Sequence, residues 1–341
     1  MTIGVAVLGT GRLGGRYIET VKNTPGAKMI VVAEPRGDAA EKWKTEHPDV
    51  EFVSDYRDIL KRGDVQVVVG TLPHWLHKQA AIDAANAGKH IYMEKPMAAW
   101  LSEANEMVAA AKKNNVRLMT AHTQRYYPAV KAMKQIVDSK RFGDLIMVHD
   151  MWHKPYDPYI RPEWMLDRKR GGGMGQMDGS HEIDRLLWIL GPDVVSVSAM
   201  VGQITHPKSK HPKINCDDTS MAFLRWKSGL VATISRIAWD KGGTEYGADY
   251  FFTEGMARFR IQYGQKGPKT GIQIADTHDG EWKSEPVPET DSMADEFADF
   301  IKAIERGDTD TPVPMEHGRN VLRVLEATEE SSRLGREVRL D

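Results

Sequence analysis

The sequence has almost no cysteine, no long apolar run and no excess of charge of one sign. Cys216 is the only cysteine in 341 residues, so an internal disulfide is excluded. No apolar run reaches the roughly 18 residues that a membrane-spanning helix needs. There are 46 lysine and arginine residues against 48 aspartate and glutamate residues, so net charge favours neither nucleic acid nor an anionic membrane. We therefore expect a small-molecule partner, with no nucleic acid and no membrane.

The first residues, Met1-Thr2-Ile3-Gly4, lack the basic segment and cleavage site of a secretory signal and lead directly into a β-rich run. Together with the lone Cys216, this start predicts a cytoplasmic protein.

A chain of 341 residues exceeds the roughly 250–300 residues at which single cores stop growing, so two domains are expected. In the first third, short β-rich runs alternate with helical patterns, which is typical of a parallel, doubly wound sheet. The candidate strands are Ile3–Leu8, Met29–Ala33, Val65–Val69, His90–Met93 and Arg117–Thr120, and the candidate helices are Leu13–Lys22, Ala39–Glu46, Trp75–Ala87 and Leu101–Asn114. We predict a Rossmann domain over residues 1–121.

For residues 122–341 we predict an α/β domain that binds substrate and forms oligomers. Its strand-like runs are separated by hairpin signals such as Lys227-Ser228-Gly229, which favour an open, mostly antiparallel sheet. The stretch Ser292–Glu305 carries one apolar helical stripe, with Ser292 as N-cap. We expect this helix to pack on that sheet; packing of the C-terminal helix back on the first domain is the alternative.

A glycine-rich turn, Gly9-Thr10-Gly11-Arg12-Leu13-Gly14, follows the first strand directly and opens a helix. Its glycines suit a tight turn, close approach of the backbone to a pyrophosphate, and close packing of helix on strand. The helix N-terminus then faces the phosphates. All six residues are predicted to bind a dinucleotide.

Glu34 follows the second strand, where its carboxylate can accept hydrogen bonds from the ribose hydroxyls and would repel a 2′-phosphate. This favours NAD. Arg36 keeps NADP open as the alternative, because a guanidinium two residues on can pair with that phosphate; it can equally be a solvated or adenine-stacking side chain.

Five motifs resemble those of the glucose–fructose oxidoreductase, inositol dehydrogenase and rhizopine-catabolism family, Gfo/Idh/MocA. They are Gly9-x-Gly11-x-x-Gly14, Thr71-Leu72-Pro73-His74-x-x-His77, Glu94-Lys95-Pro96, Gln124-Arg125-Tyr126-x-Pro128, and Gly171-Gly172-Gly173 followed by Gly179-x-His181-x-x-Asp184. The resemblance spans nearly the whole chain. It implies an oxidoreductase acting on sugars, cyclitols and related carbinols, with a C-terminal sheet through which homodimers or homotetramers form. It also adds Thr71, Pro73, His77, Glu94 and Lys95 to the cofactor-binding residues.

Lys95 lies just past a parallel strand's carboxyl end, where open α/β sheets bind ligands. Its ammonium is expected to contact both nicotinamide and substrate and to stabilise charge at the reacting oxygen. A surface lysine neutralised by Glu94 is the alternative.

His181, early in a helix, is expected to bind substrate and to accept the hydroxyl proton, because its unperturbed pKa of about 6.5 is close to working pH. The resemblance implies an aspartate four residues before it, but that position is Met177. Asp178 is the candidate replacement, contacting substrate or orienting His181; Asp184 is another possible orienting group, and a helix cap is the plain alternative for Asp178.

The segment 153–170 is rich in aromatic rings and donors that suit a sugar, although an oligomer contact would use the same residue types. The remaining predicted substrate-binding residues are Arg125, Trp152, His153, Tyr156, Arg161 and Trp164. No spaced ligand cluster indicates a metal.

The leading hypothesis is NAD(P)-dependent dehydrogenation of a secondary alcohol on a sugar, cyclitol or sugar derivative. The first alternative is a redox-neutral enzyme that modifies glycosides through transient oxidation at carbon 3 by bound NAD. The second is a non-catalytic sensor of NAD or sugar, against which Lys95 and His181 argue.

Overall fold

The computed structural model describes residues 2–11, 13–238, 244–262, 269–276 and 280–340. The chain divides into two compact units. The first comprises residues 1–123 and 291–322, and the second comprises residues 124–290 and 323–341. The chain therefore passes from the first unit to the second at residue 124, returns to the first at residue 291, and enters the second again at residue 323.

Within the described ranges, the sheet of the first unit has six parallel strands. They are β1 (Ile3–Leu8), β2 (Ala27–Ala33), β3 (Glu51–Val53), β4 (Val67–Gly70), β5 (His90–Glu94) and β6 (Leu118–Ala121). Their order is β3-β2-β1-β4-β5-β6. Every residue of β1 is buried, as expected for a central parallel strand covered on both faces. This sheet confirms the predicted Rossmann arrangement, whose ligand crevice lies outside the carboxyl ends of β1 and β4.

The crossover helices of this unit are α1 (Gly14–Asn23), α2 (Gly37–Glu46), α3 (Tyr56–Leu60), α4 (His74–Asn86) and α5 (Leu101–Lys113). All but α3 agree with the helical patterns in the sequence; the short α3, like the short strand β3, was not predicted.

The second unit has a mixed sheet of nine strands among the described residues. They are β7 (Leu145–Lys154), β8 (Val194–Gly202), β9 (Thr219–Trp226), β10 (Val231–Ala238), β11 (Glu245–Phe252), β12 (Gly255–Arg260), β13 (Gly271–Ala275), β14 (Lys283–Glu285) and β15 (Val338–Arg339). Their order is β14-β13-β12-β11-β7-β10-β9-β8-β15. The pair β7–β10 is parallel and the other described pairs are antiparallel. The mostly antiparallel sheet is confirmed.

Helices α6 (Pro128–Asp138) and α7 (Ser180–Leu190) accompany this sheet. The α7 face of the sheet carries buried charges, since Arg185 of α7 pairs with Asp150 of β7 and Glu182 of α7 pairs with Arg236 of β10. Successive strand residues point to opposite faces. Trp152 is on the α7 face, in register with Arg236, and the neighbouring residues of β7 lie on the other.

Helix α8 (Ser292–Arg306) corrects two expectations. Its N-cap is Asp291, whose side chain accepts hydrogen bonds from the backbone N–H groups of Met293 and Ala294; Ser292 is the first helical residue. Its apolar stripe lies in the core of the first unit, not on the second sheet. The Phe297 and Phe300 rings each lie 5.3 Å from the ring of Tyr92 on β5. The aromatic side chains of α8 thus pack against apolar residues of the first unit. The α7 face of the second sheet carries ion pairs, which would not suit an apolar stripe.

Helix α9 (Met315–Leu334) follows α8, and the boundary between the units falls within it, after Leu322. None of the helices in the described ranges has the length and apolar content to span a bilayer.

Candidate active site

The turn between β1 and α1 has the geometry of a phosphate cradle. Gly9 has a φ of +91°, which favours glycine. A Cβ at Gly14 would lie 2.1 Å from the Gly9 carbonyl oxygen, so a side chain there would separate helix from strand. Among the described residues, a Cβ at Gly11 would meet only the Thr71 carbonyl oxygen, at 3.9 Å. The space beside Gly11 is thus open, as an approaching pyrophosphate requires.

The N-terminus of α1 is suited to an anion. Leu13 occupies the N-cap position, makes no side-chain capping bond, and no acidic residue lies in the first turn. The helix dipole and the first N–H groups are therefore available to phosphate. Arg12, which the sequence also assigned to the cofactor, lies outside the described residues.

Glu34, just beyond β2, is a buried carboxylate with a full set of donors. It accepts hydrogen bonds from Thr10 N (2.9 Å) and Oγ1 (2.5 Å), and from Arg36 N (3.0 Å), Nε (2.8 Å) and Nη2 (2.8 Å). Burial raises the pKa of Glu34, but the bonds from Arg36 and Thr10 outweigh burial and lower it from 4.5 to about 2. The guanidinium of Arg36 neutralises Glu34 in this arrangement.

The segment after β4 contacts both the glycine turn after β1 and the segment after β5. Thr71 Oγ1 donates to the Gly9 carbonyl oxygen over 2.8 Å, which ties β4 to the glycine turn, and Pro73 is the N-cap residue of α4. His77 is fully buried, with Nδ1 3.0 Å from the Pro96 carbonyl oxygen and Nε2 2.8 Å from the Leu72 carbonyl oxygen. Burial lowers the pKa of His77. Both ring nitrogens thus face protein carbonyl oxygens, so His77 joins the segment after β4 to Lys95-Pro96, and its contact with the cofactor stays a prediction.

Glu94 and Lys95 lie at the carboxyl end of β5. Glu94 is buried and accepts hydrogen bonds from the Tyr17 hydroxyl (2.7 Å) and from the backbone N–H of Lys95 (3.1 Å). Burial raises the pKa of Glu94. Lys95 is half-buried, and the Lys95–Pro96 peptide bond is cis. Lys95 is therefore placed at the predicted edge of the sheet, with its backbone held by the preceding carboxylate.

In the second unit, a π-helical turn over Gly175–Gly179 leads directly into α7. Such turns are rare in proteins, and those that occur often lie at functional sites. A Cβ at Gly179 would lie 2.3 Å from Arg236 Nη2, which explains the glycine two residues before His181. The wide turn carries Met177 and Asp178, and His181 is half-buried in the first turn of α7.

Asp178 contacts Lys154, which the sequence analysis did not single out. Lys154 Nζ lies 2.7 Å from Asp178 Oδ2, and both side chains are buried. The same ammonium lies 4.5 Å from the centre of the Trp152 ring, and that ring lies 6.2 Å from the ring of His181. Lys154 ends β7 two residues after Trp152, so strand alternation alone would have placed the two on one face.

Trp152 is held rigidly, since its ring stacks on Tyr246 at 4.1 Å with an angle of 9° between the planes. Trp152, Lys154, Asp178 and His181 therefore form one constellation, which we call the His181 cluster. It combines a flat apolar surface, an ion pair and an imidazole.

Two predicted site residues pair with each other. Arg125 is buried, and its Nη2 lies 2.6 Å from Asp184 Oδ1. The roles predicted for them, Asp184 in orienting His181 and Arg125 in binding substrate, stay predictions.

His153 lies on the face of the sheet opposite Trp152, where its Nε2 is 3.0 Å from Ser235 Oγ. Neighbouring residues of a strand point to opposite faces, so His153 does not share the face of Trp152, and its contact with substrate stays a prediction.

The segment after β7 is structured around Tyr156, which is buried with Met174 and Ala238. The guanidinium of Arg161 lies 5.0 Å from the centre of the Tyr156 ring. Trp164 is half-buried in a short 3₁₀ turn, Glu163–Leu166. Across the described ranges, no group of three or more His, Cys, Asp or Glu side chains is arranged to hold a metal ion.

Comparison with known proteins decides the family. Residues 3–122 match the oxidoreductase family with an NAD-binding Rossmann fold, and residues 130–258 match the Gfo/Idh/MocA C-terminal domain. The chain belongs to the Gfo/Idh/MocA family. It is an NAD-dependent oxidoreductase, which confirms the predicted class of enzyme and cofactor.

Among its relatives, the oxidoreductase YrbE of Bacillus subtilis is 26% identical over 341 residues, covering 98% of this chain and 96% of that protein. Inositol 2-dehydrogenase of Acidiphilium cryptum is 27% identical over 317 residues, covering 92% and 89%. The crystal structure of the WlbA dehydrogenase of Bordetella pertussis, in complex with NADH and UDP-GlcNAcA, superposes with a TM-score of 0.84 at 25% identity, covering 100% and 99%.

Proposed function

We propose that this enzyme transfers a hydride between NAD and a secondary carbinol of a sugar, cyclitol or sugar derivative. The observation that carries the proposal is the His181 cluster. An imidazole beside a rigid aromatic plane and an ion pair suits a ring that has apolar C–H faces and hydroxyl edges. The inositol and nucleotide-sugar dehydrogenases among the relatives support this substrate class.

The first unit supplies the cofactor residues. Gly9, Gly11 and Gly14 would hold the pyrophosphate at the N-terminus of α1. Glu34 would accept hydrogen bonds from the ribose hydroxyls in place of those that it now accepts from Thr10 and Arg36. Bound there, the nicotinamide supplies the hydride acceptor in one direction and the donor in the other. The fit rests on the open space beside Gly11 and on the uncapped helix N-terminus.

Lys95 and His181 carry the proposed chemistry. The ammonium of Lys95 donates a hydrogen bond to the reacting oxygen and stabilises charge there, while the imidazole of His181 accepts the hydroxyl proton as the carbinol is oxidised. Trp152 packs against the C–H face of the ring.

Asp178 contributes a carboxylate beside His181, with Lys154 as its counter-charge. The pair offers one acceptor and one donor to neighbouring hydroxyls of the substrate. Tyr156, Arg161 and Trp164 stay the other substrate-binding candidates of the segment after β7, with the Arg161 guanidinium 5.0 Å from the centre of the Tyr156 ring.

We further propose that the second sheet joins copies of the chain into homodimers or homotetramers. On its face opposite α7, Met200 and Met221 are 45% and 60% exposed and lie in register on neighbouring strands. Met147 of β7 is 37% exposed on the same face, further along the sheet, in register with Val231 and Arg225. Exposed apolar side chains such as the adjacent pair Met200 and Met221 are typical of subunit contacts. A single monomeric species in analytical ultracentrifugation would refute this assembly.

Screening aldoses, cyclitols, uronates and glycosides with NAD and NADP, with NADH absorbance and product analysis run together, tests the proposed reaction. A polyol oxidised with one NADH formed per product supports it. Glycoside cleavage without accumulation of NADH would establish the redox-neutral alternative, and NADH binding without turnover of any compound would establish a sensor.

A further inference from the structure

The backbone of Lys95 is connected to the dinucleotide-binding helix through two hydrogen bonds. The Lys95 N–H donates to Glu94 Oε2 over 3.1 Å, and the Tyr17 hydroxyl donates to Glu94 Oε1 over 2.7 Å. Tyr17 lies in the first turn of α1, three residues after Gly14. One carboxylate thus bridges the helix that carries the phosphate cradle and the residue that emerges from β5.

We propose that Tyr17 is a positioning residue that fixes Lys95, through Glu94, relative to α1. This inference rests on the proposed function, in which Lys95 contacts the reacting oxygen.

The Tyr17 ring is itself immobilised. It is fully buried and meets the rings of Tyr92 and Phe297 edge to face, at 5.6 Å and 6.5 Å between centroids. The hydroxyl therefore has a fixed direction, set by packing that a phenylalanine would keep. Loss of the hydroxyl can be separated from loss of the ring.

The surroundings of this bridge keep Tyr17 protonated as the donor, while the charge of Lys95 and the hydrogen bond from Tyr17 favour the ionised form of Glu94 as the acceptor. Burial, together with the carboxylates of Glu94 and Glu296, raises the pKa of Tyr17, so its hydroxyl remains a donor throughout the working range of pH. Burial raises the pKa of Glu94, against which act the charge of Lys95, the hydrogen bond from Tyr17 and the charge of Arg16. Tyr17 thus helps to keep Glu94 ionised, and an ionised Glu94 binds the Lys95 N–H more strongly.

Placement of Lys95 matters because its proposed bond to the reacting oxygen depends on geometry. A displacement of about 1 Å in a catalytic group commonly costs about a hundredfold in rate. Cofactor affinity is expected to depend instead on the glycine turn and Glu34. Tyr17 contacts that turn through its backbone N–H, which donates to the Leu13 carbonyl oxygen over 3.1 Å, and Tyr17→Phe keeps this bond. A positioning role therefore separates turnover from NADH binding.

The test compares Tyr17→Phe with Tyr56→Phe. Tyr56 offers a matched tyrosine–carboxylate bond in the same unit, since its hydroxyl donates to Asp83 Oδ2 over 2.7 Å between α3 and α4. With a polyol that the wild-type enzyme oxidises, we expect Tyr17→Phe to lower kcat about ten- to a hundredfold, with the Kd of NADH nearly unchanged. Tyr56→Phe is expected to change neither quantity.

A second measurement needs neither substrate nor cofactor. The rate at which an amine-reactive reagent modifies Lys95, followed by mass spectrometry, reports the surroundings of that side chain, with the half-buried Lys78, which pairs with Glu106, as internal reference. We expect Tyr17→Phe to change the Lys95 rate relative to Lys78, and Tyr56→Phe to leave it unchanged. In a protein that already carries Glu94→Gln, adding Tyr17→Phe should change the Lys95 labelling rate little, because both substitutions break the same bridge.

A Tyr17→Phe protein with reduced thermal stability but wild-type kcat and Lys95 labelling would show that Tyr17 only packs the core, and would overturn the inference. If the wild-type enzyme oxidises no polyol, the proposed function fails, and the labelling experiment alone decides whether Tyr17 positions Lys95.

Discussion

Lys154 Nζ and Asp178 Oδ2 form a buried ion pair of 2.7 Å within the His181 cluster. Removing one member of a buried pair leaves an uncompensated charge and commonly costs about 3–5 kcal/mol, whereas replacing both with neutral groups is often nearly neutral. The pair therefore allows its contribution to stability to be separated from its contribution to catalysis.

We expect Lys154→Met and Asp178→Asn to destabilise the protein individually, by about the cost of an orphaned buried charge. The double variant should recover most of the free energy of unfolding in urea, yet keep a reduced kcat/KM. The matched control is Arg168→Met/Glu329→Gln, which neutralises a 2.6 Å pair of the same unit outside the cluster and should leave kcat/KM unchanged. Wild-type kcat/KM in the Lys154/Asp178 double variant would remove the pair from the site.

Gly11 and Gly14 differ in what a side chain would meet, and this predicts opposite defects. At Gly11 a Cβ has one neighbour within 4 Å in the part of the chain that the structure describes, so Gly11→Val is expected to fold and to lose NADH binding by occupying the phosphate space. At Gly14 a Cβ would lie 2.1 Å from a backbone oxygen, so Gly14→Ala is expected to lower the thermal midpoint. Calorimetry of NADH binding and thermal unfolding distinguish the two, and a folded Gly11→Val protein with wild-type affinity would refute the cradle.

The glycine turn, the parallel sheet and Lys95 were predictable because they depend on local sequence: glycine spacing, apolar strands, and the position of Lys95 directly after β5. The packing of α8 was not predictable in this way. Its apolar stripe specifies a buried face but not which of two sheets provides the partner, and the deciding contact, with Tyr92, joins residues about 200 positions apart in the chain.

The His181 cluster shows the same limit at the level of single residues. Strand alternation alone would have placed Lys154 on the same face as Trp152 and His153 on the opposite face. The partners of Asp178 and Asp184 could not be inferred from helical spacing, since both carboxylates pair with residues outside their helix, Lys154 and Arg125.

Lys95→Ala is expected to reduce kcat about a hundred- to a thousandfold, the usual effect of removing one preorganised contact to a developing charge. NADH affinity should change little, because the glycine turn and Glu34 remain. Steady-state kinetics and NADH titration check this, with a change at the exposed Lys61, Lys61→Ala, as surface control. Turnover equal to the wild type would eliminate Lys95 from the mechanism.

Glu34→Ala is expected to shift cofactor preference from NAD toward NADP, since it removes the negative charge that repels a 2′-phosphate. It also releases Arg36, whose Nε and Nη2 are each 2.8 Å from the Glu34 carboxylate and would then be available to the phosphate. The ratio of kcat/KM for the two cofactors measures the shift. In Glu34→Ala/Arg36→Ala the gain for NADP should be lost; an NADP gain that survives the second change would show that Arg36 plays no part.

Glu34 and Glu94 should contribute to stability with opposite dependence on pH. The pKa of Glu34 in the folded protein is lowered from 4.5 to about 2, so the folded state binds fewer protons than the unfolded state. Its contribution is present above pH 4.5 and is lost as pH falls toward 2. The pKa of Glu94 is raised above 4.5 by burial, so its contribution is present below that value and is lost as pH rises through the raised pKa.

Urea unfolding of Glu34→Gln and Glu94→Gln across this range tests both signs in the protein without cofactor. The free energy of unfolding of the wild type minus that of Glu34→Gln should decrease on acidification below pH 4.5, because the wild-type carboxylate loses its bonds from Arg36 and Thr10 when it is protonated. The same difference for Glu94→Gln should decrease as pH rises above 4.5, because burial then penalises the ionised wild-type carboxylate while glutamine stays neutral. Two slopes of the same sign would mean that Glu94 is ionised with as little penalty as Glu34, and that Tyr17 and Lys95 outweigh its burial.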